Sequence, residues 1–194
     1  MSTPTDSVEL VGDEAAGNVA RAVLFAAATS ATAPVDMVHP LAPNVPITLQ
    51  TLWVYLAGIV LGPLWAGVAF TLYLLAGLIG LPVFAGGNAG LGVLLGPTGG
   101  FLVGFPLAAM TIGAVAHGTD GLNSPDSIPI PRVVAALVVG TAVVYVAGAV
   151  GYALVQAIGL LAAVSAVVVP FLPVAGLKVA ATVAIVRSDA IVAR

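Results

Sequence analysis

Few side chains in this sequence can do chemistry, and nearly all the polar ones on the predicted outer side of the membrane lie in three segments interrupted by proline or glycine. The segments are 34–50, 80–100 and 168–178. Their polar members are Asp36, His39, Asn44, Thr48, Gln50, Asn88, Thr98 and Lys178. Such groups recognise small polar molecules by hydrogen bonds and a few charges, so the sequence predicts a binding site where the three segments meet.

Lys178 is the basic residue of this set, and its ammonium group offers three donors to a carboxylate or a carbonyl. It lies in an apolar run long enough to cross a membrane, where an ionisable side chain is by default a functional candidate. The alternative is that it snorkels to the lipid headgroups. The amides of Gln50 and Asn88 donate and accept at once, which suits a urea-like ligand, or they merely solvate loops. Tyr73 and Phe84 could pack on a ligand ring, or belong to an interfacial aromatic belt.

The stretch "GLPVFAGGNAGLGVLLGPTGG" (80–100) cannot form a regular helix across a membrane. Irregular backbone is tolerated there only where it is buried in protein or lines a cavity. We therefore expect it to line a pocket, with Gly87, Gly90 and Gly92 letting the main chain approach a ligand closely. Close helix packing is the alternative, and it is favoured for Gly99 and Gly100.

Several kinds of chemistry are excluded by what the chain lacks. It has no cysteine, and its two histidines fall on opposite sides of the predicted membrane topology, so we expect no metal site. No nucleophile, zinc-protease or phosphate-loop motif occurs, so the chain is predicted not to be an enzyme and to need no cofactor. With a net charge of -3 and no basic patch, it is not expected to bind nucleic acid.

The composition identifies an integral membrane protein. Hydrophobic residues make up 60% of the 194 residues and charged residues only 7%, against about 25% in soluble domains. No Asp, Glu, Lys or Arg occurs from Met37 to Thr119. The prediction is an all-α protein with a disordered tail over 1–18 and a single six-helix transmembrane domain over 19–194. Its irregular outer loops would cap a substrate pocket.

The six predicted spans are separated by helix breakers and by one polar loop. Gly62-Pro63 divides the second span from the third. The segment 154–170 could be a seventh span, but six spans put four of the five basic residues on the inner side, as the positive-inside rule favours. Both termini are then cytoplasmic, and 154–170 is a short helix on the outer face. The spans are 19–35, 47–62, 64–82, 99–117, 130–152 and 172–192.

The first span is rich in small residues spaced four apart. Such a face lets the backbone of a partner helix approach closely, although packing within the same bundle would explain it equally well. The residues are Ala22, Ala26, Ala27 and Ala31.

Three stretches resemble the BioY family, the biotin-specific substrate-binding (S) components of energy-coupling-factor (ECF) transporters. They are "ITLQTLWVYLAGIVLGP", "YLLAGLIGLPVFAGGNAGLGVLLGPTGGFLVGFPLAA" and "PFLPVAGLK". The resemblance implies biotin uptake across the plasma membrane, with biotin bound under the outer loops. It also implies a partner module, a transmembrane coupling protein with two ATPases, that docks on the small-residue face of the first helix.

The chain departs from the family pattern at one position. The family motif Pro-Gly-Asp-x-x-Lys is replaced here by "PVAGLK", so Lys178 matches and Ala175 stands in place of the aspartate. One hypothesis is that Asn88, Gln50 or the carbonyls of 85–90 accept the ureido N–H groups of biotin instead. The rival hypotheses are a biotin-related or other small vitamin as ligand, and a membrane scaffold with no ligand.

Overall fold

Apolar helices make up most of the fold, because only a hydrogen-bonded backbone is stable in lipid. The computed structural model describes residues 12–118 and 121–188. Four of its helical stretches, 50–78, 99–117, 130–156 and 160–187, are long and apolar enough to cross a membrane. The elements are α1 (Asp13–Thr32), β1 (Asp36–His39), β2 (Ala42–Thr48), α2 (Gln50–Leu78), α3 (Leu91–Leu94), α4 (Gly99–His117), α5 (Ile130–Gln156), α6 (Leu160–Val167) and α7 (Leu172–Arg187).

Helix α2 is folded back on itself at Gly62, whose φ of 72° is accessible to glycine at little cost. The next residue, Pro63, has no N–H to continue the hydrogen-bond ladder. Gln50 and Tyr73 are 23 positions apart, about 35 Å along a straight helix, yet their side chains are hydrogen-bonded. The two halves are therefore antiparallel, which confirms the two predicted spans, and with α1, α4, α5 and α7 they complete the six-helix fold.

The helices alternate in direction and so gather the loops at two ends. At the first, here called the hairpin end, lie the β1–β2 hairpin, residues 79–98 and residues 157–171. At the second, the bend end, Gly62 faces Leu122 of the loop before α5. Arg187 donates to the carbonyl oxygens of Asp126 and Ile128 there. The start of α1 and the end of α7 both lie at the bend end, as the six-span topology predicts.

Helix α4 packs between α2 and α5 through glycines that admit close contact. The side chain of Ile112 lies between Gly58 and Gly140, where added Cβ atoms would be 2.6 and 2.2 Å from it. A Cβ on Gly100 would lie 2.4 Å from the carbonyl oxygen of Ala147 in α5. Gly100 therefore serves helix packing, the alternative that the sequence favoured.

Two details of the fold differ from the sequence prediction, and a third, the length of α6, agrees with it. Helix α1 begins at Asp13, so residues 13–18 are helical and not part of a tail. Glu14, in the first turn, stabilises this start because its negative charge lies near the positive end of the helix dipole. The remainder of the predicted tail, 1–11, lies outside the described residues. Helix α6 has eight residues, about 12 Å, which is too short to cross a membrane. Segment 34–50 contains a two-stranded antiparallel sheet where the sequence predicted irregular backbone.

Candidate functional site

A cavity of about 380 Å³ opens at the hairpin end, between the hairpin, the glycine-rich loop and the helices α2, α4, α5 and α7. Its wall is mostly apolar, with aromatic rings from α4 and from the loops. Of the described residues that line it, Asp36 and Lys178 carry charge. The predicted site residues that reach the wall are Gln50, Phe84, Asn88 and Lys178.

Lys178 enters the cavity from α7, in the second turn of that helix. Its Nζ donates a 2.5 Å hydrogen bond to Oγ1 of Thr51 near the start of α2. This contact holds the ammonium group at the cavity wall and leaves two of its N–H donors available to a ligand. The ammonium is thus placed to bind an anionic group of a ligand within the cavity.

Gln50 is held in place by two neighbours. Its Oε1 accepts from the Thr48 hydroxyl at 2.7 Å, and its Nε2 donates to the Tyr73 hydroxyl at 2.5 Å. Tyr73 in turn donates to the carbonyl oxygen of Val83 at 2.9 Å. Tyr73 is fully buried and does not line the cavity, so it positions Gln50 and the glycine-rich loop and does not face a ligand.

Phe84 forms part of the cavity wall because α2 leaves room for its ring. Only 1% of the residue is exposed, and the ring meets Tyr73 edge to face, with centroids 5.6 Å apart. The ring also lies against Gly77, where a Cβ would be 2.1 Å away. The Phe84 ring therefore packs the glycine-rich loop against α2 and also lines the cavity.

The glycine-rich loop contributes to the cavity through other residues than the predicted glycines. Gly87, Gly90 and Gly92 do not line it, and added Cβ atoms there would meet open space. Gly87 and Gly90 have positive φ angles, so they shape the turns of the loop. Asn88 lines the cavity, and its Nδ2 donates to the carbonyl oxygen of Ala85 at 2.7 Å.

The hairpin is fastened over the cavity by His39. Its Nδ1 accepts from the Leu41 backbone N–H at 3.1 Å, so Nε2 carries the proton and donates to the carbonyl oxygen of Pro170 at 3.1 Å. The ring also packs on Phe171, with centroids 4.6 Å apart. His39 thus joins the hairpin to the linker between α6 and α7. His117 contacts Ile59 at the bend end, so the two histidines are apart.

Several cavity residues were not predicted as ligand contacts. Phe101 and Phe105 lie one turn apart on α4, and that spacing was a signal in the sequence. Thr51 and Tyr145 come from helices whose rotation the sequence does not specify. Ala175, where the family motif has aspartate, also lines the cavity, so α7 offers no carboxylate at that position.

The small-residue face of α1 is only partly available to a partner. Ala22 is fully buried within the chain, Ala26 is half-buried, and Ala27 and Ala31 are exposed. Ala22 therefore packs inside the bundle, the alternative reading of this face. Trp53 of α2 lies beside the same helix and donates to the Thr32 hydroxyl at 2.8 Å. In the described part of the chain no three His, Asp or Glu side chains group as metal ligands.

Comparisons with known proteins agree over nearly the whole chain. A biotin transporter BioY from Rhodobacter capsulatus is 39% identical over 193 residues, which cover 91% of this chain and 98% of the relative. A biotin transporter BioY from Thermotoga maritima is 50% identical over 78 residues, 40% of this chain and 46% of the relative.

A solved structure is also similar, the crystal structure of the S-component for biotin from an ECF-type ABC transporter. The TM-score is 0.74, the sequences are 28% identical, and the match covers 92% of this chain and 93% of that one. The family model described as BioY family matches residues 4–193. The chain, a multi-pass membrane protein, therefore belongs to the BioY family.

Proposed function

We propose that this chain is the substrate-capture component of a biotin uptake system, which binds biotin in the cavity at the hairpin end and delivers it inward. The observation that carries the proposal is the match to the S-component for biotin along more than nine-tenths of both chains. The cavity adds a physical reason, since a single ammonium group lies in an otherwise mostly apolar wall.

Biotin has the same combination of features. A carboxylate ends its hydrocarbon chain, and a fused ring system carries a urea group at the other end. The Lys178 ammonium group is placed to bind the carboxylate by a charge-assisted hydrogen bond. The rings of Phe84 and Phe101 offer apolar contact to the hydrocarbon chain and the ring system, and the amides of Gln50 and Asn88 can bond to the urea.

Biotin in this proposal is cargo and not a cofactor. The relatives named above are transporters, and membership of their family confirms the prediction that this chain is not an enzyme. The plasma membrane is the compartment that an uptake system for a vitamin requires.

We further propose that the bend end is cytoplasmic and meets an ECF module, a transmembrane coupling protein with two ATPases. The positive-inside rule supports this orientation, because Arg132 lies in the first turn of α5 and Arg187 ends α7 at the bend end. The exposed Ala27 and Ala31 offer the coupling protein a close approach to α1.

Binding and docking are tested separately. Calorimetric titration of purified protein with biotin is expected to give a dissociation constant below about 1 μM. If the protein binds biotin more weakly than desthiobiotin, a biotin relative is favoured as the cargo. Radiolabelled biotin uptake into biotin-requiring cells is expected to rise when the module is co-expressed. Ala27→Leu should reduce that rise and leave biotin binding unchanged, and reduced binding would contradict the docking role.

A further inference from the structure

We propose that Asp36, on the hairpin, is the acceptor for the N–H donors of the ligand, so that the ligand is held between the Asp36 carboxylate and the Lys178 ammonium group. The inference rests on the proposed function and deepens it. It assigns the cargo class as elongated molecules with a carboxylate at one end and N–H donors at the other.

The first observation is the position of Asp36 in the cavity wall. Asp36 is the first residue of β1 and pairs with Thr48 across the hairpin. It lies on the side of the cavity formed by the hairpin and the glycine-rich loop, whereas Lys178 enters from α7. The two charges therefore come from two different walls of the same cavity.

The second observation is how closely Asp36 approaches the glycine-rich loop. Gly86 has a φ of 66°, and a Cβ there would lie 3.5 Å from Oδ2 of Asp36 and 3.2 Å from Nδ2 of Asn88. The space that a side chain at Gly86 would occupy is thus bordered by a carboxylate and an amide. A urea group carries N–H donors and a carbonyl acceptor side by side, which matches this pair.

The third observation is that two of the other side-chain acceptors in the wall are already bonded. Oε1 of Gln50 accepts from Thr48, and Oγ1 of Thr51 accepts from Lys178. Within 12–118 and 121–188, no hydrogen bond or ion pair joins the Asp36 carboxylate to another side chain. A carboxylate is also a stronger acceptor than an amide, because hydrogen bonds to a charged group are about twice as strong as neutral ones.

The test uses two ligands and four variants, all as full-length protein. Biotin and biotin methyl ester share the urea group, but the ester has no carboxylate charge. Asp36→Asn is expected to weaken binding of both ligands by the same factor, about tenfold or more. Lys178→Met is expected to weaken binding of biotin by a larger factor than binding of the ester, because the ester offers the ammonium group a neutral acceptor in place of a carboxylate. Asp126→Asn, an exposed aspartate at the bend end, is the control and should change neither.

The possible results separate this inference from the proposed function. If wild-type protein binds biotin and Asp36→Asn binds both ligands as tightly, the assignment of Asp36 is wrong and the proposed function stands. A loss confined to biotin also overturns it, because the urea group is the same in both ligands. If wild-type protein does not bind biotin, both proposals fail. Asp36→Glu keeps the carboxylate and should bind biotin more tightly than Asp36→Asn, and an equal loss in both would indicate a merely steric effect.

Discussion

Replacing Tyr73 by phenylalanine removes one buried oxygen atom on which two other groups depend. The Tyr73 hydroxyl accepts from Nε2 of Gln50 at 2.5 Å and donates to the carbonyl oxygen of Val83 at 2.9 Å. Without it, an amide donor and a carbonyl acceptor remain unpaired beside a fully buried ring. Each unpaired buried group costs about 1–3 kcal/mol.

The expected total is about 2 kcal/mol, because Gln50 can turn its amide toward the cavity and recover part of the loss. For a chain of this size that corresponds to a fall of about 4–8 °C in the apparent Tm. Biotin should also bind roughly fivefold more weakly, since a reoriented Gln50 no longer presents the same wall and about 1 kcal/mol is lost.

Thermal unfolding of purified protein in detergent measures the first effect, and calorimetric titration with biotin measures the second. Tyr152→Phe is the matched control, because it removes a hydroxyl that contacts the side chains of Gln156, at a long 3.4 Å, and Asn44, and that does not bond to Gln50 or to the glycine-rich loop. Both variants should fold. If Tyr73→Phe unfolds at the wild-type temperature and binds biotin normally, the positioning role inferred for Tyr73 is refuted.

Three further changes test other parts of the structure. Lys178→Met should weaken biotin binding by roughly 10- to 100-fold in calorimetry, because it removes a charge-assisted hydrogen bond. It should not lower the apparent Tm, because it also removes a charge that is costly to bury. Normal affinity would contradict the ligand role of Lys178. Gly100→Leu should prevent recovery of folded protein in gel filtration, since a Cβ there meets the Ala147 carbonyl oxygen at 2.4 Å, whereas Gly176→Leu, with open space, should fold. His39→Ala should release bound biotin several-fold faster in a chase experiment, because the hairpin loses the hydrogen bond between His39 and the Pro170 carbonyl oxygen. An unchanged rate of biotin release would show that other contacts hold the hairpin.

Much of the fold was predictable because membrane helices depend on local properties of the chain. A run without charges has to form helices in lipid, and the break at Gly62-Pro63 follows from one glycine and one proline wherever they occur. The boundaries of α4 were predicted to the residue, while α1 begins earlier than hydropathy indicates, because polar residues can extend a helix beyond the apolar run. The β1–β2 hairpin was missed, since its second strand contains two prolines and its turn lacks a glycine signal.

The candidate site was also predictable only in part from the sequence. The sequence by itself determined that the polar residues on the predicted outer side lie in three interrupted segments of a largely apolar chain, and that Lys178 is the basic group among them. Only the tertiary structure decided which of these side chains meet: Gln50 lines the cavity and Tyr73 lies behind it, while Ala27 is exposed and Ala22 is buried. The physical reason is that successive residues of a helix point about 100° apart. Which of them face a cavity is therefore set by how the helices rotate against each other, and that is a property of the packed bundle.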